Sequence, residues 1–386
     1  MGSVFRRFTA EVGSGWPLGL SGHLGQPWRL AARALLAAAA KWTIRFSCGV
    51  SDPTLVRELC AAVADLGGEH TRAERLQAAL RLLILVVVLL GGSWLYWRLP
   101  LGWIAISAVL VAGVAYALLL IATHEMVHGT LLGSPRLERY LACLLSWPMV
   151  WPYLTYARLH RLHHRWNGSD GRDPERTTSL PQEQQAAGGW RRLLQRHPLL
   201  PRLVLLGGVG LIVDTAHKGL RLQAVDAGLA GARQWDGAGV ALLHSALLVW
   251  AISQGVVGRY LVFWLLLERM IGAIVQFRGL VEHHGLWHAQ DGHLLTQLYA
   301  SRSISASPWL NAVMGGLPHH SAHHAFPWIP SARLPQASQR IASVLRRHAA
   351  PALPQLPSYG HALALLWREG QLQGTYGASV PTSCTS

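Results

Sequence analysis

The chain has 386 residues, a mean hydropathy of +0.24 and only 14% charged side chains, against about a quarter in an average soluble domain. That balance argues against an ordinary water-soluble enzyme. The formal charge of +15 comes with no recognised nucleic-acid-binding motif, so anionic lipid headgroups rather than nucleic acid are the expected partner of the basic surface.

Residues 1–15 lack the apolar core of a secretory signal, and none is expected. Residues 1–75 read as a cytoplasmic, partly helical region, with an Ala-rich helix near the membrane at 31–42. A membrane domain is placed at 76–340. Its apolar runs predict four spans, at about 76–97, 99–123, 238–255 and 259–277, because a span needs about 20 apolar residues. Arg81 would either snorkel or mark the start of the first span. Two weaker apolar segments, 141–156 and 199–213, are expected on the membrane surface or half-inserted. Residues 341–386 form a cytoplasmic tail, expected to be partly disordered after Pro351. The two outer turns hold only Arg98 and Arg259, whereas arginine is spread through the N-terminal region, the central loop and the tail. By the positive-inside rule both termini and the central loop are cytoplasmic. Cys48, Cys60, Cys143 and Cys384 have no metal-type spacing.

Nine histidines fall in clusters just outside these spans: His124 and His128; His160, His163 and His164; His283; and His320, His323 and His324. The second span ends near Thr123, with His124 directly after it, and the fourth near Phe277, with His283 within two turns, so two returning hairpins bring both helix ends to the same side of the bilayer. The remaining boxes lie in segments on that side. Residues four apart share a helix face, which aligns His124 with His128, His160 with His164, and His320 with His324. Neutral imidazole is the commonest protein ligand for a transition metal. Eight box ligands with His283 as a ninth suit two metals of five- or six-fold coordination better than one tetrahedral zinc.

The opposing readings are specific. His23, His70, His197, His217, His244, His348 and His361 are taken as ordinary surface or core residues, and His288, His293 and His319 lie near the boxes but off their pattern. The stretch His124-Glu-Met-Val-His128 resembles the zinc-protease pattern, but a protease would leave the other seven clustered histidines unexplained. A histidine-rich metal transporter would place ligands inside its spans, where only His244 lies. Trp147, Trp151 and Trp166 are read as interfacial anchors.

With their flanks, the boxes read Thr123-His-Glu-Met-Val-His-Gly-Thr130, His160-Arg-Leu-His-His164 followed by Asp173-Pro-Glu175, and His320-Ser-Ala-His-His-Ala-Phe-Pro-Trp-Ile-Pro330 followed by Arg333-Leu-Pro335. In this order and between these spans they resemble the membrane fatty acid desaturase and hydroxylase family over roughly residues 76–340. The third box looks most like the acyl desaturase branch.

The resemblance implies an all-α integral membrane protein: four transmembrane helices in two hairpins, under a cytoplasmic helical cap that carries the metal site. It implies two iron ions (Fe2+) on the nine histidines, dioxygen as co-substrate, and oxygen-dependent desaturation of an acyl lipid or fatty acid. Alkane or carotenoid hydroxylation or ketolation is the alternative within the same superfamily, and Glu282-His-His-Gly-Leu286 has some look of the alkane hydroxylase branch. No haem-domain motif of the His-Pro-Gly-Gly type occurs, so a separate electron donor such as ferredoxin is expected. Some relatives carry an Asn where this chain has Gly279, four residues before His283. Glu282 has two readings, orienting a histidine or sitting at the surface. Asp173 also has two, bonding a box histidine or serving as a turn residue before Pro174.

Overall fold

The computed structural model describes residues 53–177 and 202–372, with Glu183, Ala186, Gly188, Gly189 and Leu199 between them. The expected helix at 31–42, the stretch 1–15, Cys48 and Cys384 lie outside the described residues.

Helix α1 (Pro53–Val63) precedes α2 (Arg72–Arg98) and α3 (Trp103–His128). A capping box starts α2: the Glu74 amide donates to Thr71 Oγ1 at 3.2 Å, and the Thr71 amide donates to Glu74 Oε2 at 2.8 Å. At about 1.5 Å per residue, each of α2 and α3 is about 40 Å long, more than a hydrocarbon core requires. Gly129 stops α3 in the left-handed region (φ 69°), with the Thr130 amide returning to the Glu125 carbonyl at 3.3 Å. The helix therefore ends directly after the first histidine pair. Arg81 does not snorkel: it turns inward, donating to Glu125 Oε1 at 2.6 Å.

Helices α4 (Pro135–Ser146) and α5 (Tyr153–Trp166) follow, with a 3-10 turn at Trp147–Met149 between them. A π-helical turn (Arg202–Leu206) leads into α6 (Gly207–Arg221), then α7 (Gly228–Ser253) and α8 (Val257–His283). Among the described residues, α2, α3, α7 and α8 are the helices long and apolar enough to cross a membrane. Their bounds differ from the expected spans: α2 and α8 are longer at both ends, α3 starts at Trp103 and runs on to His128, and α7 begins at Gly228, ten residues before the expected start, and ends at Ser253. Helix α3 is the inner member. Ala112, Ala115, Tyr116 and Leu119 pack between α2 and Leu267 and Ile271 of α8, while Leu83, Val87 and Leu90 of α2 and Leu242 and Val249 of α7 stay exposed. Arg259 Nη2 donates to the Leu99 carbonyl at 2.6 Å and also to the Tyr96 carbonyl, while Tyr96 Oη donates to the Arg259 carbonyl at 2.9 Å. These bonds tie the start of α8 to the end of α2. At Gly272 α8 meets α6 so closely that a Cβ would fall 1.9 Å from the Gly208 nitrogen.

The rest of the chain is α9 (His293–Tyr299), β1 (Ser303–Ile304), α10 (Pro308–Val313), α11 (His320–Ala325), α12 (Leu334–Arg347), β2 (Gln355–Leu356) and α13 (Tyr359–Leu372). The two short strands pair in parallel, Ser303 with Gln355 and Ile304 with Leu356. Leu334, Ala337, Ile341 and Val344 form one apolar face of α12, which packs against Leu55, Leu59 and Val63 of α1. Arg333 binds both oxygens of Glu74 at 2.7 Å and joins this layer to the start of α2. Part of the tail is helical: in α13, Ala362 and Leu366 are buried against Leu280 and Val281 of α8, while residues 373–386 lie outside the described residues.

Candidate metal centre

Local structure places each histidine. His124 and His128 occupy the last turns of α3, His160, His163 and His164 the last two turns of α5, and His283 the last residue of α8, while α11 begins at His320. The position of α5 is set by Asp236 of α7, which is 2% exposed. Its carboxylate accepts from the amides of Leu154 and Thr155 at 3.1 and 2.8 Å, from Thr155 Oγ1 at 2.8 Å and from Trp147 Nε1 at 3.0 Å. A carboxylate on the first amides of a helix satisfies donors that have no intrahelical partner.

All nine histidines converge. Ligand atoms of His124, His128, His160 and His323 lie within 4.8 Å of one another, as do those of His163, His283 and His324, and those of Glu282, His283 and His320. Three contacts knit the clusters: His124 Nε2 to His323 Nε2 at 2.9 Å, His160 Nε2 to His164 Nε2 at 3.0 Å, and His283 Nε2 to His320 Nε2 at 2.9 Å. His164 stands between the groups, its ring 4.7 Å from that of His128 and stacked at 4.3 Å on His324. The off-pattern His288, His293 and His319 belong to none of these groups.

Five rings share one orientation. In each, Nδ1 is held from outside and Nε2 turns inward. His124 Nδ1 lies 3.1 Å from Tyr156 Oη, His160 Nδ1 2.7 Å from Glu175 Oε1 and His163 Nδ1 2.8 Å from Asp173 Oδ1. His283 Nδ1 lies 3.3 Å from the Ala300 carbonyl, and His324 Nδ1 3.1 Å from Gln297 Oε1. An acceptor at Nδ1 favours the Nδ1–H tautomer and leaves the Nε2 lone pair for a ligand. Of the two readings for Asp173, the bond to His163 is present together with the turn, in which its Oδ1 also accepts from the Glu175 amide at 2.9 Å. Glu282 is not at the surface: it is 4% exposed, takes Arg278 Nε on Oε1 at 2.7 Å and sets Oε2 3.4 Å from His320 Nε2.

The donor set fits a transition metal. His128 Nε2, His163 Nε2, His164 Nδ1, His320 Nδ1 and His324 Nε2 are buried with no hydrogen-bond partner among the described residues, an arrangement costly without a ligand. Burial holds the pKa values of His164, His320, His323 and His324 well below the usual histidine value. Burial also lowers that of His160, against the pull of Glu175. Neutral rings are the ligand-competent form. His163 is the exception: burial opposes its charging, but the Asp173 and Glu175 carboxylates raise its pKa.

A cavity of about 690 Å3 reaches the cluster. Its lining includes His124, His160, His283 and His320, the apolar side chains Leu120, Ile121, Met149, Ile271 and Val275, and the charged Arg202, Asp214, Lys218, Glu268 and Arg278. Trp151 also lines it. The anchor reading fits none of the three tryptophans simply, since Trp166 is 7% exposed and Trp147 is bound to Asp236.

Residues 100–354 match the family model for Fatty acid desaturase, about two thirds of the chain. The chain belongs to the fatty acid desaturase family. It is similar to the human "Sphingolipid delta(4)-desaturase/C4-monooxygenase DES2", 25% identical over 292 residues that cover 74% of this chain and 78% of the relative. The mouse protein of the same name is 24% identical, covering 73% and 77%. Membership in this desaturase family makes the chain an oxidoreductase acting on acyl lipid, and its four apolar helices fit a membrane protein.

Sequence reasoning did not single out Tyr156, Glu175, Gln297, Asp236 or Arg278. Tyr156 stands one helical turn before His160, and Glu175 two residues after Asp173, so spacing held a signal for both. Arg278 stands one helical turn before Glu282, a spacing that also held a signal; Gln297 and Asp236 have no such local mark.

Proposed function

We propose that this desaturase removes two hydrogens from a saturated carbon pair of a fatty acyl chain at a histidine-ligated di-iron centre, using dioxygen. The observation that carries this reading is the convergence of nine imidazoles from four separate segments, eight of them in groups that could hold a metal and His164 between these, beside a cavity with an apolar stretch of wall. One iron would take His124, His128, His160 and His323. The other would take His163, His283, His320 and His324, with Glu282 beside it and His164 between the two. When bound, the iron pair supplies the oxidising power to break an unactivated C–H bond, which redox-inert zinc lacks.

The protein's own residues do the rest. Asp173, Glu175, Tyr156, Gln297 and the Ala300 carbonyl hold five rings with Nε2 inward. The wall of Leu120, Ile121, Met149, Ile271 and Val275 takes the alkyl chain and excludes water. In balance, the alkyl pair gives up two hydrogens and one dioxygen becomes two waters, with two electrons and two protons from outside. A separate carrier of the ferredoxin type would bring the electrons. The two hairpins α2–α3 and α7–α8 would cross the bilayer, with both termini and the metal site on the cytoplasmic side. Hydroxylation of the same chain is the second reading, favoured by a relative whose name joins desaturase and C4-monooxygenase.

The test is expression of the full chain in a host lacking the activity, with mass spectrometry of its membrane lipids and metal analysis of the purified protein. A new double bond and about two irons per chain are expected. Full turnover in a His163→Ala/His323→Ala variant would sink the reading.

A further inference from the structure

Arg81 is a charged side chain on α2, a helix long and apolar enough to cross a membrane, and the proposed reaction does not use it. A charge on such a helix is costly and calls for a partner and a task. The partner is Glu125: Arg81 Nη2 donates to Glu125 Oε1 at 2.6 Å, with the two side chains 11% and 1% exposed. Both charges must lose their water to pair, so an apolar pair of similar volume would stabilise the fold as well or better. Stability alone does not account for the pair.

Its position does. Glu125 stands between His124 and His128, on the last turns of α3. The guanidinium also meets the turn that leads from α10 into α11: a Cβ on Gly315 would fall 1.7 Å from Arg81 Nη1 and 2.5 Å from Glu125 Oε1. Gly315 has φ 65°, so space and backbone both call for glycine there. The ion pair therefore touches three segments: α2, the end of α3 with the first histidine box, and the turn just before the third box. Those two boxes meet where His124 Nε2 and His323 Nε2 lie 2.9 Å apart.

The two proposed iron sites depend on this contact unequally. The site of His124, His128, His160 and His323 draws on both the first and the third box. The other contains no histidine of the first box. Its His163, His283 and His324 have outer supports of their own, in Asp173, the Ala300 carbonyl and Gln297.

We propose that Arg81 is a positioning residue for the first of these sites. By binding Glu125 and seating the Gly315 turn, it sets the distance between the first and third boxes, and with it the affinity for the metal on His124, His128, His160 and His323. The inference rests on the di-iron reading and adds to it which of the two metals Arg81 governs.

The test loads the purified full-length protein with Fe2+ and, separately, with redox-inert Zn2+, then releases the metal with a graded chelator. Thermal unfolding of the metal-free protein is followed in parallel. Wild type is expected to hold about two metals per chain. Arg81→Met/Glu125→Leu removes both charges at similar volume, and its metal-free melting temperature should equal or exceed that of wild type. One of its two metals should leave at about 10- to 100-fold lower chelator concentration, with the other unchanged. A merely structural pair would move the melting temperature and not this step. Arg81→Lys keeps the charge opposite Glu125 without the planar guanidinium against the turn. It should weaken the same metal about threefold or more, and carries the test if the double variant does not fold. Two metals held as tightly as in wild type, or both weakened equally, overturns the proposal, as does a wild type that holds fewer than two. Selective loss of one metal in the variants, with no oxidised lipid formed by wild type, would instead remove the desaturation reading and leave the role of Arg81 standing.

Discussion

His163 Nδ1 lies 2.8 Å from Asp173 Oδ1, with both side chains almost wholly buried. The pair fixes the ring so that the unpartnered Nε2 points to the rings of His283 and His324. Asp173→Ala should lower iron affinity about 10- to 100-fold, and Asp173→Asn less, because an amide oxygen still accepts from Nδ1–H. Iron retention against a graded chelator measures both, and equal retention in all three proteins would refute the role.

Tyr156→Phe removes the hydroxyl 3.1 Å from His124 Nδ1 and leaves the ring stacked on His160. About a tenfold loss of iron affinity is expected, with alkane binding in the cavity unchanged. Tyr156 also lines the cavity, so iron retention equal to that of the unaltered protein is the outcome that would refute its role on His124.

The histidines give the metal-free protein a definite pH dependence. His160, His164, His320, His323 and His324 have depressed pKa values, chiefly through burial. Below about pH 6.5 the unfolded chain therefore binds protons that the folded chain does not. Each such histidine removes up to about 1.4 kcal/mol of stability per pH unit. His163, with its pKa raised against burial by Asp173 and Glu175, acts in the opposite sense: its contribution is full below about pH 6.5 and is lost as pH rises through its folded pKa. Five against one decides the sign, so the melting temperature of the iron-free protein should fall steeply from pH 7 to pH 5. Bound iron should flatten the upper part of that curve.

Asp236→Leu would orphan the buried amides of Leu154 and Thr155 and Trp147 Nε1. A loss of about 3 kcal/mol is expected, read as an earlier thermal transition, with weaker iron retention because α5 carries three of the ligands. Asp236→Asn should recover part of both.

Two glycines test the helix packing. Gly272→Ala would drive a Cβ into the Gly208 backbone at 1.9 Å and should destabilise the α6–α8 contact strongly. Gly91→Ala on α2 meets nothing within 4 Å and should stabilise by about 0.5–1 kcal/mol. Unfolding midpoints of the two variants moving in the same direction would contradict the packing described.

Span number and the shared face of each histidine box were legible in the sequence because they depend on local quantities, the length of an apolar run and the four-residue repeat of a helix. Helix ends were not: the capping box at Thr71 and Glu74 starts α2 four residues before the expected span, and α7 begins ten residues early. Tertiary structure alone decided which rings meet. His124 and His323 are 199 residues apart and touch only because α3 and α11 end at the same place. The outer partners also come largely from other segments: Gln297 and the Ala300 carbonyl from around α9, and Asp236 from α7. The docking of α13 depends on a surface of α8 that no stretch of the tail encodes. Side-chain periodicity is a property of one segment, whereas a contact across the fold is set by how several segments pack.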